Sequence, residues 1–361
     1  MRRALELAAQ ADHATSPNPM VGGVVLDAAG DLAGEGYHVR AGEPHGESLA
    51  LAQAGKRARG GTLYVSLEPC AHHGRTPPCA EAVLAAGIRR VVVALTDPDP
   101  RVDGAGIEQL RAAGVEVLVG VEEGAARHLN RFYLKHRQTA TPYVTAKFAM
   151  SLDGRIATAG GESRWITGEP ARAEGQRLRH IHDAVLVGIG TVVADDPELT
   201  DRRPGAGRQP LCVVVDSTLR IPLISKLLTD GRAARTLVAT TKSAEAGAVA
   251  VVESMGAEVA RMPETSGGQV DLDALMRLLA SREIISVLAE GGPRLLGALF
   301  DAGLVDAVVA FVSPRVIGGA GAPPAVAGSG VATLAGAHRL SNLEVAYAGD
   351  DLMISGECSP A

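Results

Sequence analysis

His45-Gly46-Glu47, then Pro69-Cys70, then Cys79 after eight more residues, are the segments whose reading decides the fold of the N-terminal part of this chain. They supply one imidazole, two thiols and one spare carboxylate. Three nitrogen and sulfur ligands suit Zn²⁺ and leave the fourth tetrahedral position open for water, whereas a structural zinc is normally closed by a fourth Cys or His. Glu47, two residues after the imidazole, is then free to move protons for that water.

Outward from these segments, helix and strand patterns alternate. Helices are predicted over Arg2 to Ala11, Glu47 to Arg57, Cys79 to Ala86, Gly106 to Ala113 and Glu122 to Arg137. Strands are predicted over Val21 to Leu26, Thr62 to Leu67, Arg90 to Leu95 and Val115 to Val119. Such alternation specifies a layered α/β sheet. Glu47 and Cys79 both fall where a loop enters a helix, and a helix N-terminus favours thiolates. The polar run Gln138-Thr139-Ala140-Thr141-Pro142 marks a domain boundary, giving domains 1–140 and 141–361. A second α/β pattern starts at Tyr143 and ends in two strands, Leu343 to Ala348 and Leu352 to Gly356.

A chain of 361 residues is long enough for two domains. The net charge of −6 comes without a block of Lys or Arg, which argues against a nucleic-acid partner. No apolar run is long enough to span a bilayer, and the N-terminus lacks the apolar region of a signal peptide. Four cysteines are too few for a disulfide scaffold. Cys212 and Cys358 read as inert thiols, and a cytosolic location is expected.

H-x-E followed by P-C and a second Cys is the signature of zinc-dependent nucleobase deaminases, in which the Glu is acid/base and not a ligand. The implied reaction is hydrolytic loss of ammonia from an amino-substituted heterocycle. The run Ser66-Leu67-Glu68-Pro69-Cys70 through Cys79 resembles the deaminase half of the bifunctional riboflavin-biosynthesis deaminase–reductases. Pro17-Asn18-Pro19-Met20-Val21-Gly22 and Gly34-Glu35-Gly36-Tyr37-His38 do so as well. The resemblance implies a cytidine-deaminase-like α/β/α layered domain with zinc on His45, Cys70 and Cys79 and Glu47 as the catalytic proton carrier. It implies substrate contacts from Asn18, His38, His72 and Arg75, with Arg75 suited to a phosphate; His73 has no assigned role. The family usually has Ala where this chain has Gly46, and glycine's poorer helix propensity predicts a looser first turn.

Four strings in the C-terminal half resemble the reductase half of the same family: Ala149 to Ala157, Gly161 to Thr167, Gly188 to Pro197 and Glu290 to Gly297. No G-x-G-x-x-G opens a helix after a strand, so a Rossmann site is not indicated. Gly291-Gly292 does follow an apolar strand and precede a helix, where backbone N–H groups can meet a pyrophosphate. The resemblance implies a dihydrofolate-reductase-like α/β domain that uses NADPH. Ala149, Trp165, Thr191, Asp195, Ser217, Gly292, Pro293, Arg294, Leu295, Leu296, Gly297 and Ala298 would contact the cofactor. Ser163, Trp165, Arg179, Leu199, Arg202 and Glu290 would line the substrate side, with Arg179 and Arg202 as clamps for the sugar phosphate.

Other readings of these residues stand beside these. Trp165, the sole Trp, is otherwise a core residue; Lys147 is either an edge-strand charge or a cleft contact; Asp153 makes an Asx-type turn with Gly154. No second metal is expected at Asp195-Asp196. The implied substrate is 2,5-diamino-6-ribosylamino-4(3H)-pyrimidinone 5′-phosphate, deaminated at the ring and then reduced from ribosyl to ribityl. The resemblance also implies a homo-oligomer. Rival readings are a deaminase acting on free nucleosides or tRNA adenosine, and a zinc-stabilised scaffold without activity.

Overall fold

The computed structural model describes residues 1–71 and 78–359. The backbone divides into two compact units, Met1–Ala140 and Thr141–Ala361. In the first, the elements are α1 (Arg2–Ala9), β1 (Gly22–Leu26), β2 (Leu32–Tyr37), α2 (Gly46–Ala54), β3 (Thr62–Val65), α3 (Cys79–Ala85), β4 (Arg90–Val93), α4 (Ala105–Ala112), β5 (Glu116–Val119), α5 (Glu123–Leu129) and α6 (Arg131–Thr139). The described strands form one sheet in the order β2-β1-β3-β4-β5. β1 runs antiparallel to both neighbours, and β3, β4 and β5 are parallel. Parallel neighbours need a crossover, and α3 and α4 supply it. Val91, Val92 and Val93 are all buried, as a strand covered on both faces requires.

Strand β2 is absent from the sequence reading because glycine is depleted in strands. Here the glycines are what the packing needs. A Cβ at Gly34 would stand 2.3 Å from the Ala50 carbonyl oxygen, and one at Gly36 would stand 2.6 Å from Cβ of Leu49. Helix α2 therefore lies directly on the strand backbone. Gly46 acts in the same way: a Cβ there would come within 2.5 Å of the Val21 carbonyl oxygen. The first turn of α2 is closely packed through its glycine, contrary to the looseness that propensity alone predicts.

The single helix predicted over Glu122 to Arg137 is two helices, α5 and α6, broken at Asn130. The Asn130 side chain accepts from the Met20 N–H at 2.8 Å and donates to the Met20 carbonyl at 3.0 Å. This buried pair ties the helix junction to the loop before β1, a tertiary bond that helical periodicity cannot reveal.

The second unit comprises β6 (Tyr143–Ser151), α7 (Glu169–Ile181), β7 (Ala184–Gly188), α8 (Ile189–Asp195), β8 (Leu211–Val215), β9 (Thr236–Thr240), α9 (Ala246–Ser254), β10 (Glu258–Arg261), α10 (Leu272–Ser281), β11 (Ser286–Ala289), α11 (Pro293–Asp301), β12 (Ala307–Ser313), β13 (Arg339–Ala348) and β14 (Asp351–Ser359). Its sheet order is β10-β9-β8-β7-β11-β6-β12-β14-β13. The run from β10 to β12 is parallel, and β14 and β13 close it antiparallel. Val144, Leu186, Val213, Leu237 and Val287 from the strands pack with Leu275, Met276, Leu296 and Leu299 from α10 and α11. The sequence reading missed α8, whose glycine-bearing opening hides a helix of seven residues.

Candidate active sites

The three candidate metal ligands come from three places at one end of the first sheet. His45 is the N-cap of α2, Cys79 is the first residue of α3, and Cys70 lies in the loop after β3. His45 Nδ1 is 3.2 Å from Cys79 Sγ and 3.8 Å from Cys70 Sγ, and all three donor atoms lie within 4.8 Å of one another. Ligands bound tetrahedrally to zinc at ~2.0–2.3 Å stand roughly 3.5–3.8 Å apart, so the set fits zinc with small adjustment. The electrostatics agree. A hydrogen bond with Cys79 draws the Cys70 thiol down to about 4. The hydrogen bond with Cys70 pushes the His45 imidazole up to about 9. Cys79 is raised in turn, chiefly by its bond with Cys70. The donors share protons at close quarters, and a cation takes the place of those protons on binding.

Glu47 is 2 % exposed, and its Oε1 is 4.0 Å from His45 Nδ1. Its other oxygen, Oε2, is buried without a hydrogen-bond partner among the described residues. Burial raises the carboxyl above the usual range. A buried carboxylate with a free oxygen beside the ligand set is the arrangement a proton carrier needs. His38 lies next to it, its ring 5.3 Å from that of His45. Its Nδ1–H donates to the Pro44 carbonyl at 3.1 Å, which leaves Nε2 as a buried acceptor without a partner among the described residues. Burial lowers its pKa and keeps the ring neutral. Asn18 sits in the turn before β1, where its N–H donates to the Thr15 carbonyl at 2.8 Å; its side chain is half-buried. His72, His73 and Arg75 lie outside the described residues.

In the second unit a cavity of about 400 Å³ is lined by Ala149, Ser163, Trp165, Arg179, Thr191, Asp195, Leu199, Arg202 and Glu290. Every residue assigned to the reductase substrate side is present. Trp165 is not a core residue: it is 60 % exposed, with the Arg172 guanidinium 4.6 Å over its ring.

Several placements alter the sequence reading. Arg179 is already engaged: Nε and Nη2 donate to Glu290 at 2.9 and 2.7 Å, and Nη1 donates to the Thr200 carbonyl at 3.1 Å. It holds a carboxylate and is not an open phosphate clamp. Arg202, whose side chain is 54 % exposed, is 3.8 Å from Glu198 and remains available. Of the run from Gly292 to Ala298, Leu295 and Leu296 turn their side chains into the core. Gly297 packs against the backbone, since a Cβ there would meet the Ala327 carbonyl oxygen at 2.1 Å. The side chains of Leu295 and Leu296 are therefore turned away from any cofactor, while Pro293 is half-buried and Arg294 exposed at the opening of α11. Gly292 has an ordinary backbone (φ −69°, ψ 175°), and a Cβ there would meet nothing nearer than Thr191 Oγ1 at 3.6 Å. Its missing side chain leaves open space beside a helix N-terminus, the cradle a pyrophosphate takes. Ser217, at the end of β8, does not line the cavity. Its hydroxyl donates to Gln269 at 3.3 Å and accepts from the Val270 N–H at 3.2 Å.

Sequence reasoning left Lys147 undecided. It lies on β6, between β11 and β12, so it is not on an edge, and it lines the cavity. Burial lowers its pKa, while Glu290 works the other way. Burial also disfavours the Glu290 carboxylate, but Arg179 and Lys147 outweigh it and hold the group near about 2. A lysine inside an otherwise apolar central strand is the signal that could have found it. Asp153 does not make the Asx-type turn. It accepts from Ser151 Oγ at 2.6 Å and from the N–H groups of Ile317 at 2.9 Å and Gly318 at 2.7 Å.

Comparison with known proteins agrees with both chemistries. Residues 1–95 match the cytidine and deoxycytidylate deaminase zinc-binding region, and residues 142–354 match the RibD C-terminal domain. The chain is 40 % identical to the riboflavin biosynthesis protein RibD of Bacillus amyloliquefaciens over 98 % of its own length and 94 % of the relative's. It is also 40 % identical to the RibD of Escherichia coli K12, over 98 % and 97 %. The solved structure of Acinetobacter baumannii RibD superposes with a TM-score of 0.89 at 38 % identity, covering 99 % of this chain and 97 % of that one. The deaminase/reductase of Thermotoga maritima gives 0.85 at 32 % identity, with coverage of 99 % and 97 %. Fold and sites thus define a zinc-dependent deaminase of cytidine-deaminase type joined to an NADPH-dependent reductase of dihydrofolate-reductase type. The chain belongs to the RibD family of bifunctional riboflavin-biosynthesis enzymes.

Proposed function

We propose that the unit Met1–Ala140 deaminates 2,5-diamino-6-ribosylamino-4(3H)-pyrimidinone 5′-phosphate. The unit from Thr141 then reduces the ribosyl group with NADPH, giving 5-amino-6-ribitylaminouracil 5′-phosphate. The observation that carries the reading is the buried Glu47 oxygen, without a hydrogen-bond partner among the described residues, beside three converging candidate zinc ligands. His45, Cys70 and Cys79 would hold zinc, which when bound supplies Lewis-acid activation of water at neutral pH. Glu47 takes the proton of the attacking water on its free oxygen and returns it to the departing amine. Its raised pKa suits a group that must both accept and give. His38, neutral and with Nε2 as acceptor, is suited to an N–H of the pyrimidine. Asn18, His72 and Arg75 keep the substrate-binding roles that the resemblance implies.

NADPH, when bound, supplies the hydride. The backbone opening α11 at Gly292, with Thr191 and Asp195 of α8, lines its pyrophosphate side, and Ala149 and Trp165 face the cleft; Ser217 keeps a contact beyond the cavity. Opening the ribosyl ring adds hydride to C1′ and a proton to the ring oxygen. Lys147, buried in the cavity wall beside the Glu290 carboxylate, is the titratable group suited to deliver that proton. Ser163, Leu199 and Arg202 shape the substrate side, with Arg202 rather than Arg179 on the phosphate.

Among the described residues no helix is long and apolar enough to cross a membrane. A cytosolic location is part of this reading, supported by free cysteines. A homo-oligomer is also part of it: edge strand β13 exposes Leu343, Val345 and Tyr347. The test is to supply the diaminopyrimidine phosphate with NADPH and measure ammonia release and NADPH oxidation separately. Both should occur, ammonia first. Turnover of cytidine with none of this substrate would contradict the reading.

A further inference from the structure

Glu68 stands two residues before Cys70 and takes no part in the chemistry above. It is 4 % exposed, and its carboxylate accepts four backbone N–H groups. Asp97 at 3.2 Å and Gly104 at 3.1 Å reach Oε2; Gly106 at 2.9 Å and Ile107 at 3.2 Å reach Oε1. Gly106 and Ile107 lie in the first turn of α4, where backbone donors have no partner within the helix. The N-cap of α4 is Gly104, which has no side chain to satisfy them. Glu68 serves as the cap from a distant part of the sequence.

The same contact presses on the metal ligand loop. A Cβ at Gly106 would stand 1.9 Å from the Pro69 carbonyl oxygen, so the backbone just before Cys70 rests on the first turn of α4. From the other side, the Ala80 N–H donates to the Cys70 carbonyl at 3.1 Å, and the Cys79 N–H reaches Cys70 Sγ at 3.4 Å. Cys70 is held between the openings of α3 and α4, and Glu68 fixes the second.

We propose that Glu68 is the positioning residue of the metal centre. By tying the start of α4 to the backbone before Cys70, it sets where the Cys70 thiolate stands relative to His45 and Cys79, and so how long the metal is retained. The proposal rests on the reading of His45, Cys70 and Cys79 as ligands. The site needs a carboxylate: each oxygen receives two donors, and an amide in its place would turn an NH₂ group toward two N–H groups. Residues that orient metal ligands from outside typically change metal affinity about 10–100-fold.

The experiment uses the full-length protein loaded with Zn²⁺. Zinc release to a chromophoric chelator is timed, and the absorption spectrum of the Co²⁺-substituted protein is recorded. Glu68→Gln should release zinc about 10–100-fold faster and change the cobalt spectrum, while NADPH oxidation with pre-deaminated substrate stays at the wild-type rate. Gly106→Ala leaves the carboxylate intact but pushes on the Pro69 carbonyl. It should shift both readouts in the same direction, and it carries the test if Glu68→Gln does not fold. Wild-type release and an unchanged cobalt spectrum in Glu68→Gln, with only a lower denaturation midpoint, would overturn the proposal and leave Glu68 a residue of fold stability. If that variant is unfolded, wild-type behaviour of Gly106→Ala would overturn it. Cys70→Ser is the separate control: zinc bound as in wild type there would defeat the ligand assignment itself, whatever the Glu68 variants do.

Discussion

Arg179 and Glu290 meet through two parallel hydrogen bonds, Nε to Oε1 at 2.9 Å and Nη2 to Oε2 at 2.7 Å, in the wall of the reductase cavity. The side chains are only 13 % and 8 % exposed, and Lys147 adds a second buried cation to the same carboxylate. Removing one partner of such a pair leaves charge buried without compensation, which costs about 3–5 kcal/mol. Glu290→Gln should destabilise the reductase unit by that amount near neutral pH. The sign with pH follows from the depressed pKa. The folded group titrates near about 2, below the ordinary glutamate value of about 4.3. Its stabilisation is therefore full above the ordinary value and is lost as pH falls towards the folded one. Urea denaturation of both proteins across this range should show the gap closing with acid; a constant gap would contradict the assignment.

The glycines of α11 should separate cofactor binding from folding. Gly292→Val should fold, because its Cβ meets only Thr191 Oγ1 at 3.6 Å, yet lose NADPH affinity by filling the cradle. Gly297→Ala should lower stability by about 1–3 kcal/mol or more through overpacking, because its Cβ falls on the Ala327 carbonyl. Fluorescence titration with NADPH and thermal denaturation distinguish the two. Unchanged NADPH affinity in Gly292→Val would move the cofactor away from this loop.

Arg202 should carry the phosphate in the reductase site. A charge-assisted hydrogen bond contributes about 1.5–3 kcal/mol, so Arg202→Ala should raise KM for the phosphorylated substrate roughly 10- to 100-fold. A dephosphorylated analogue should be little affected. Equal losses on both would assign Arg202 another role.

The cluster of His45, Cys70 and Cys79 was legible in the sequence because metal chemistry restricts donor type and spacing at once. The central strands were legible because burial on both faces gives continuous apolar runs such as Val91–Val93. What the sequence hid are bonds between distant segments. Asn130 breaks a periodic helix by binding Met20, and Gly34 and Gly36 form a strand because α2 lies on them. Arg179 reads as a free cation until Glu290 is seen across 111 residues of chain. Lys147 stayed undecided between an edge charge and a cleft contact because the sequence does not give the strand order.

The central claim is that Glu47 moves protons and does not bind the metal. Glu47→Gln keeps the size of the side chain but removes the basic oxygen. Zinc content should remain at about one ion per chain, and NADPH oxidation with pre-deaminated substrate should match wild type. Deamination should fall by about 10²–10⁴-fold, the range for one positioned acid/base, and towards the upper end because the group acts twice. The direct measurement is ammonia release by the zinc-replete Glu47→Gln protein with the diaminopyrimidine phosphate. A loss of that size with zinc retained is the result the account predicts; a rate within a few-fold of wild type with zinc retained would contradict it.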